Sequence, residues 1–278
     1  IEENLTLDDF LKREKMSKYF INYHIIPMVS AIWSMPPYEA KQMPLKFFLK
    51  FFQNHGLFNL KNRPQWYTIK NRSRTYVKKI LETISGEYYK NYRINKISRL
   101  SNGVKVYYGG NNEFFDYDKV VIATHADEAL SLITDPTPEE KSILANFKYK
   151  NNIAIIHTDE TLMPKNKKAW SSWNSSVNKE NTSETSITYW LNLLQNLKTN
   201  KNIFLSLNPF LKIDPKKIIS KVKFTHPYYD KEALENQNRL KNIQNKKNIL
   251  FCGSYFGYGF HEDGIKSSLE MIKSFNDR

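Results

Sequence analysis

The residues best equipped for chemistry stand near the carboxyl end, in the run CGSYFGYGFHEDG from Cys252 to Gly264. The chain holds nine glycines in 278 residues, well below the roughly 7% usual in proteins. Yet Gly253, Gly257, Gly259 and Gly264 all fall here. Glycine opens backbone conformations closed to other residues and lets a ligand approach the main chain. Ser254, Tyr255 and Phe260 are interleaved with them, His261 is the residue that can move a proton near neutral pH, and Glu262 and Asp263 add two carboxylates. The run follows the short apolar stretch NILFCG and precedes IKSSLEMIKSF. That order predicts a buried strand, a glycine and aromatic loop, and a helix opening at Asp263–Gly264. Ile265, Leu269, Ile272 and Phe275 fall on one face of the helix.

A helix amino terminus presents unsatisfied N–H groups and a partial positive charge. A phosphate is a poor guest beside Glu262 and Asp263, because like charges would crowd it. A neutral carbonyl that gains negative charge during reaction is a better one. A flavin ring has that property, since its pyrimidine edge becomes anionic on two-electron reduction. The residues fit equally an aromatic-filled turn capped by Asp263, and by themselves they leave both readings open.

The elements that would position this loop alternate along the chain. The first seventy residues read as helical, with Thr6 or Asp8 as a cap and Pro44 opening PLKFFLKFF. Phe47, Phe48, Phe51 and Phe52 make one face there, beside Lys46 and Lys50. That pattern suits an internal helix whose lysines reach outward, or docking on a membrane surface. From Tyr88 the period shortens. YRINKISRL, GVKVYYGG and FFDYDKVVIAT, separated by turn chemistry, predict a three-stranded meander whose last strand is buried on both sides near Val120–Ala123. The helix ADEALSLI follows, and DPTPEE starts another. Residues 151–226 read as a second sheet, interrupted by a polar loop at Asn174–Ser186. DKEALENQNRLKNIQ is then a helix.

Composition sets outer bounds. The hydrophobic content of 40% is ample for a packed core. A net charge of +14 invites a nucleic-acid reading, but the basic residues are scattered and accompany Asn, Ile, Phe and Tyr, so solvated faces are the better account. No nucleic-acid partner is expected. The single cysteine, Cys252, excludes an intrachain disulfide and a cysteine-built zinc site. No apolar stretch reaches the ~18 residues of a membrane span. The chain begins with Ile1, and the expectation is that its true amino terminus, with any targeting signal, lies upstream.

FCGSYFGYGFHEDGIKSSLEMI resembles the carboxyl-terminal flavin motif of the FAD-dependent amine oxidase-like superfamily. More closely it resembles the bacterial branch of NAD/FAD-binding oxidoreductases. IIPMVSAIWSMP, FFQNHGL, RPQWYTIKNRSRTYV, VVIATHADEAL, DPTPEE, AWSSWN, TYWLNLLQNL, SLNP and HPYYD follow that family's order, so the likeness covers nearly the whole chain. Two features depart from it. Asn71–Arg72 stand where the family carries small glycines, and its amino-terminal G-x-G-x-x-G turn, which holds the FAD pyrophosphate, is absent.

The resemblance implies a mixed α/β chain, an incomplete Rossmann-like FAD domain interleaved with an antiparallel-sheet and helical substrate domain. Residues 1–70 and 138–244 would form the substrate domain, and 71–137 and 245–278 the FAD domain. It implies FAD as cofactor, with Gly253, Ser254 and Tyr255 toward its ribityl or pyrophosphate part. Gly259, Phe260, His261, Glu262, Asp263 and Gly264 would lie along the isoalloxazine. Ala123 and Thr124 follow a buried strand and are candidates to touch the cofactor, with a helix-capping turn as the equal alternative. No metal site is expected. Trp66, Trp170, Trp173, Trp190 and Tyr189 are candidates for an apolar substrate pocket, with aromatic core packing the more frequent role for any one of them. The implied activity is hydride transfer from a substrate C–H bond to flavin. His261 is the candidate to move a proton there, and a histidine that only hydrogen-bonds the loop is the alternative. A fatty-acyl or other lipid substrate is preferred over an amine, and the expected location is cytoplasmic, with peripheral membrane contact as an option. As the carboxyl-terminal part of a longer enzyme, the chain alone would be inactive and hold FAD weakly. The alternative is a non-catalytic basic module that binds a membrane surface or nucleic acid.

Overall fold

The structure, a computed structural model, describes residues 5–110, 113–178 and 185–275. Helices come first: α1 (Leu7–Arg13), α2 (Lys18–Phe20), α3 (Ile26–Trp33), α4 (Pro37–Gln42), α5 (Leu45–Asn54) and α6 (Arg74–Glu82). Thr6 and Asp9 cap α1 reciprocally. Strands β1 (Ile94–Leu100), β2 (Gly103–Tyr108), β3 (Glu113–Tyr117) and β4 (Val120–Ile122) follow, then α7 (Ala126–Leu132) and α8 (Pro138–Leu144). Next are β5 (Lys148–His157), β6 (Trp173–Val177), β7 (Thr185–Trp190), the short α9 (Leu191–Leu194), β8 (Phe204–Leu207) and β9 (Ile218–Tyr228). The chain closes with α10 (Lys231–Gln237), β10 (Ile249–Phe251) and α11 (His261–Phe275).

By contact the chain divides into two compact units, 1–85 with 150–226 and 86–149 with 227–278. The domain bounds implied by the resemblance were 70/71, 137/138 and 244/245. In the first unit a five-stranded sheet runs in the order β6-β7-β8-β5-β9. The pairs β6–β7, β7–β8 and β8–β5 are antiparallel. The stretch Asn174–Ser186, expected as a loop, supplies β6 as far as Val177 and β7 from Thr185. Its middle, 179–184, lies outside the described residues. Polar residues serve there because β6 is an edge strand, where one side of the ladder meets water.

Helix α5 buries Leu45, Phe47, Phe48, Phe51 and Phe52 and turns Lys46 and Lys50 outward. Trp33 of α3 packs on Phe51 at 4.6 Å and on Phe47 at 5.7 Å between ring centroids. The phenylalanine face is therefore an internal one, and docking of α5 on a membrane is ruled out by this packing.

In the second unit β1, β2 and β3 form the expected antiparallel meander. The run FFDYDKVVIAT divides, however. Its first half is β3, and its second half, β4, leaves the meander to pair in parallel with β10. Beneath lies a core that includes Ile97, Val104, Val106, Ile122, Ile143, Leu144, Ile249 and Phe251. On the other side of β10, Leu250 and Cys252 pack against Met271 of α11. One expectation fails here. Near Val120–Ala123 only Ile122 is buried, and Val121 and Ala123 are exposed. In α11 the apolar residues Ile265, Leu269, Ile272 and Phe275 are exposed, and Ser267 and Met271 are the buried ones. The reason is geometric: the surface that α11 meets lies on its Ser267–Met271 side, roughly a quarter turn or more from its apolar stripe at 3.6 residues per turn.

Candidate functional site

The carboxyl ends of β4 and β10 lie side by side, because the two strands run in parallel register from Val120↔Ile249 to Ile122↔Phe251. The Cys252 N–H donates to the Ile122 carbonyl at 3.2 Å and extends the ladder one step. Ala123 and Thr124 continue from one strand and Gly253 and Ser254 from the other. In parallel α/β sheets, ligands bind beyond the carboxyl ends of the strands.

Ser267 ties the strand end to α11: its hydroxyl accepts the Gly253 N–H at 2.9 Å and donates to the Gly264 carbonyl at 2.7 Å. Between them the chain makes a short turn, Ser254–Phe256, and the N–H groups of Gly257 and Gly259 both reach the Ser254 carbonyl at 3.1 Å. Gln237 of α10 closes the turn from the other side by donating to the carbonyls of Tyr255 (3.0 Å) and Gly257 (2.6 Å). A side-chain amide that satisfies two loop carbonyls fixes the loop as firmly as a secondary element would.

The glycines can be tested one by one. A methyl group at Gly253 would stand 2.7 Å from the Tyr255 ring, and one at Gly257 would overlap the Asp263 carboxylate. One at Gly259, whose φ is +94°, would stand 2.7 Å from the Tyr229 hydroxyl. The room at these three positions is thus taken by the chain's own side chains. At Gly264 nothing lies nearer than the Ser254 amide nitrogen, 4.0 Å away. The surface left to a ligand is Ala123, Thr124, Ser254 and Gly264, with Ala123 and Thr124 exposed and the other two half-buried. An added methyl at Gly253 would come 3.5 Å from the Thr124 carbonyl, which brings both strand ends to this one surface. A flat group set edge-on at the first turn of α11 fits these small residues. The cradle further along the loop fits no such group.

The remaining expected residues divide. Tyr255 is a core residue, edge-on to Phe147 at 5.2 Å. Its hydroxyl is buried with no hydrogen-bond partner among the described residues. Phe260, just before α11, and His261 and Glu262 on its first turn are exposed; the helix opens at His261, two residues before the expected start. Glu262 pairs with Lys266 at 3.5 Å. Asp263 accepts the Phe260 N–H at 3.0 Å, so its carboxylate caps the helix.

Three tyrosines stand behind the loop: Tyr149, Tyr229 and Tyr255. Burial pushes all three phenols well above their usual range. They stay neutral at any physiological pH. Tyr149 accepts the Ala126 N–H at 2.9 Å and stacks on His125, ring centroids 4.1 Å apart. Tyr229, Tyr149, Gln237 and Ser267 were missed as loop-shaping residues. Each comes to the loop through tertiary folding, with no spacing signal in the sequence.

Of the aromatic substrate candidates, Trp170 packs edge-on with Trp190 at 5.3 Å, and Trp173 with Tyr189 at 5.7 Å. Trp66 is exposed. Among the described residues no three His, Cys, Asp or Glu side chains group as metal ligands.

No family model and no curated protein matches the sequence. Solved structures do, 133 chains in number. A CLA-producing fatty acid isomerase from P. acnes superposes with a TM-score of 0.64 at 13% identity, over 99% of this chain and 67% of its own. A putative protoporphyrinogen oxidase from Exiguobacterium sp. 255-15 gives 0.65 at 14%, with the same coverage. Cyclohexylamine oxidase from Brevibacterium oxydans IH-35A gives 0.63 at 10%, over 98% and 67%. The fold is of the amine oxidase type. This chain spans about two thirds of the length over which that amine oxidase-type fold extends in each of the three. Among the described residues no helix is long and apolar enough to cross a membrane.

Proposed function

We propose that the chain is the carboxyl-terminal part of an FAD-dependent oxidoreductase that removes hydride from a substrate C–H bond. The observation that carries this reading is the surface formed by Ala123, Thr124, Ser254 and Gly264, where two parallel strand ends meet the first turn of a fifteen-residue helix. A flavin held there would supply the two-electron acceptor. Ser267 and Gln237 hold the loop fixed while charge develops, so no reorganisation is needed at that moment. Gly264 keeps side-chain atoms out of the helix turn, and the positive end of α11 favours negative charge beside it. His261, exposed on the same turn, takes up or delivers the proton that accompanies the hydride. Glu262 and Asp263 disfavour a phosphate at this end, and the Lys266 ammonium on Glu262 and the Phe260 N–H on Asp263 moderate their repulsion of a ring edge that gains charge only in the reaction.

A fatty-acyl or other lipid substrate is our preferred class and an amine the second. The fatty acid isomerase and cyclohexylamine oxidase with this fold stand on either side of that choice. The test is flavin loading of the protein with its preceding sequence in place. Gly264→Val should weaken FAD retention about tenfold or more while helix content is kept. His261→Ala should slow turnover and leave FAD affinity alone. A colourless protein in that form would overturn the reading.

One observation favours a second reading, a basic module on an anionic membrane surface. Residues 53–85 include no buried side chain. On α6 the exposed Val77 and Ile80 lie among Arg74, Lys78 and Lys79, which is the pattern of an interfacial helix. Vesicle binding that falls steeply with salt, in a protein that never takes up FAD, would select it.

A further inference from the structure

Within the first unit a cavity of about 630 Å³ opens between the turn that joins α3 to α4, strand β5, the end of β8 and strand β9. Its volume lies in the range of small-molecule sites. Met35, Pro209 and Phe210 give it apolar wall. Its charged residues are Glu39, Lys150 and Lys221, two cations and one anion.

Most polar groups of the lining are already committed. Glu39 is 3% exposed, and its Oε1 accepts both the Lys150 ammonium and, at 2.6 Å, the Tyr38 hydroxyl. Its Oε2 is buried out of reach of solvent. Asn208 donates to the Asn152 Oδ1 at 2.6 Å and accepts the Ile153 N–H at 2.8 Å. Asn152 in turn donates to the Lys150 carbonyl at 3.2 Å. What is left to a ligand is cationic. The Lys150 side chain stays 41% exposed with Glu39 against it. Lys221 is exposed as well. Glu39 therefore serves as an anchor. It holds the Lys150 ammonium at one place beside the cavity, so less side-chain freedom is lost when a ligand meets it.

We infer that this cavity takes the free carboxylate end of an apolar acid, with Lys150 and Lys221 on the carboxylate and the alkyl chain along Met35, Pro209 and Phe210. A cleft with an excess of one charge and apolar walls concentrates ions of the opposite sign. An ammonium ion entering it meets two charges like its own, and the carboxylate present is already spent on Lys150. A carboxylate meets two charge-assisted donors. An ester of the same acid fits the walls but forgoes that attraction. The charge balance thus separates the two substrate classes, in favour of a lipid as its free acid and against an amine. That such an acid is also the substrate rests on the flavin reading; its binding does not.

The test is calorimetric titration of the 278-residue chain, without FAD, with decanoate, methyl decanoate and decylammonium, each below its micelle concentration. Decanoate should bind one-to-one, and the ester and the ammonium about tenfold or more weakly. Lys221→Ala alters only an exposed side chain and should weaken decanoate about tenfold with the melting temperature unchanged. Removing Lys150 alone would leave Glu39 buried and unpaired. The double variant Glu39→Gln with Lys150→Gln removes both charges and should weaken decanoate likewise. Glu39→Gln alone turns Lys150 toward the ligand and should keep decanoate binding or tighten it. Lys221→Ala decides the matter where the double variant does not fold. No binding of decanoate, decylammonium as the tightest of the three, equal affinity for all three, or decanoate binding indifferent to Lys221→Ala would each overturn the inference. A chain that binds decanoate in this way and takes up no FAD when joined to its upstream sequence would overturn the flavin reading and leave the cavity's ligand standing.

Discussion

Helices α5 and α11 carry the same kind of sequence and meet opposite fates. Each sets apolar residues at helical spacing beside lysines. In α5 the stripe Phe47, Phe48, Phe51 and Phe52 is buried, and in α11 the stripe Ile265, Leu269, Ile272 and Phe275 is exposed. The difference lies in what the rest of the chain offers. Trp33 of α3 packs on Phe51 and Phe47. Leu250 and Cys252 draw α11 in through Met271 on another side. Periodicity tells that a helix has two faces. It does not tell which face finds its partner within the same chain.

The largest effect is expected at α5, where Phe51→Ala should destabilise its unit by about 3–5 kcal/mol in denaturant titration. The same unit carries Asp159 at the end of β5. Burial would raise its carboxyl, but N–H groups of Asp214 and Thr161, Lys217 and the Thr161 hydroxyl outweigh that and hold it at about 2. A depressed carboxyl stabilises the fold above its unfolded value near 3.8, and the contribution is lost as pH falls from there through about 2. The amount is about 2 kcal/mol. Asp159→Asn should remove that acid dependence, and an unchanged acid limb in the variant would contradict the assignment.

Smaller effects are expected around α11. Gly259→Ala meets Tyr229 with the backbone at φ +94°, and should cost about 1–2 kcal/mol from the left-handed conformation alone. Gly264→Ala meets nothing within van der Waals contact, and by helix propensity should be neutral or stabilising by up to about 1 kcal/mol. Calorimetry on the pair would read opposite signs. The smallest effect belongs to Leu269→Ala, expected within about 0.5 kcal/mol in the chain alone. A cost there comparable to that of Phe51→Ala would mean that the α11 stripe has a partner after all, and would erase the contrast.

Much of the fold was legible because the determinants are local. Pro44 and the spacing of four phenylalanines predict α5, and turn residues after Leu100 and Tyr108 divide the meander. The alternation of helical and strand segments is visible throughout. The glycine loop was legible as a place but not as a mechanism. Glycine at 253, 257 and 259 signals crowding, yet the side chains responsible are Tyr255, Asp263 and Tyr229. Only tertiary folding brings Tyr229 there. Ser267 and Gln237 escaped for the same reason: a hydroxyl or amide that satisfies a distant carbonyl leaves no periodic trace. The run FFDYDKVVIAT misled in a different way, since one apolar stretch serves two sheets, and the break falls at Asp118–Lys119 between β3 and β4.

The central claim is that the strand ends at Ala123, Thr124 and Ser254, with the open helix turn at Gly264, form one part of a flavin site. The direct measurement is quenching of FAD fluorescence on titration with the chain, first alone and then joined to its upstream sequence. The account predicts weak or no quenching by the 278 residues alone, stoichiometric quenching by the joined protein, and loss of it in Gly264→Val. Tight stoichiometric binding by the 278 residues alone, or a joined protein that ignores FAD, would contradict it.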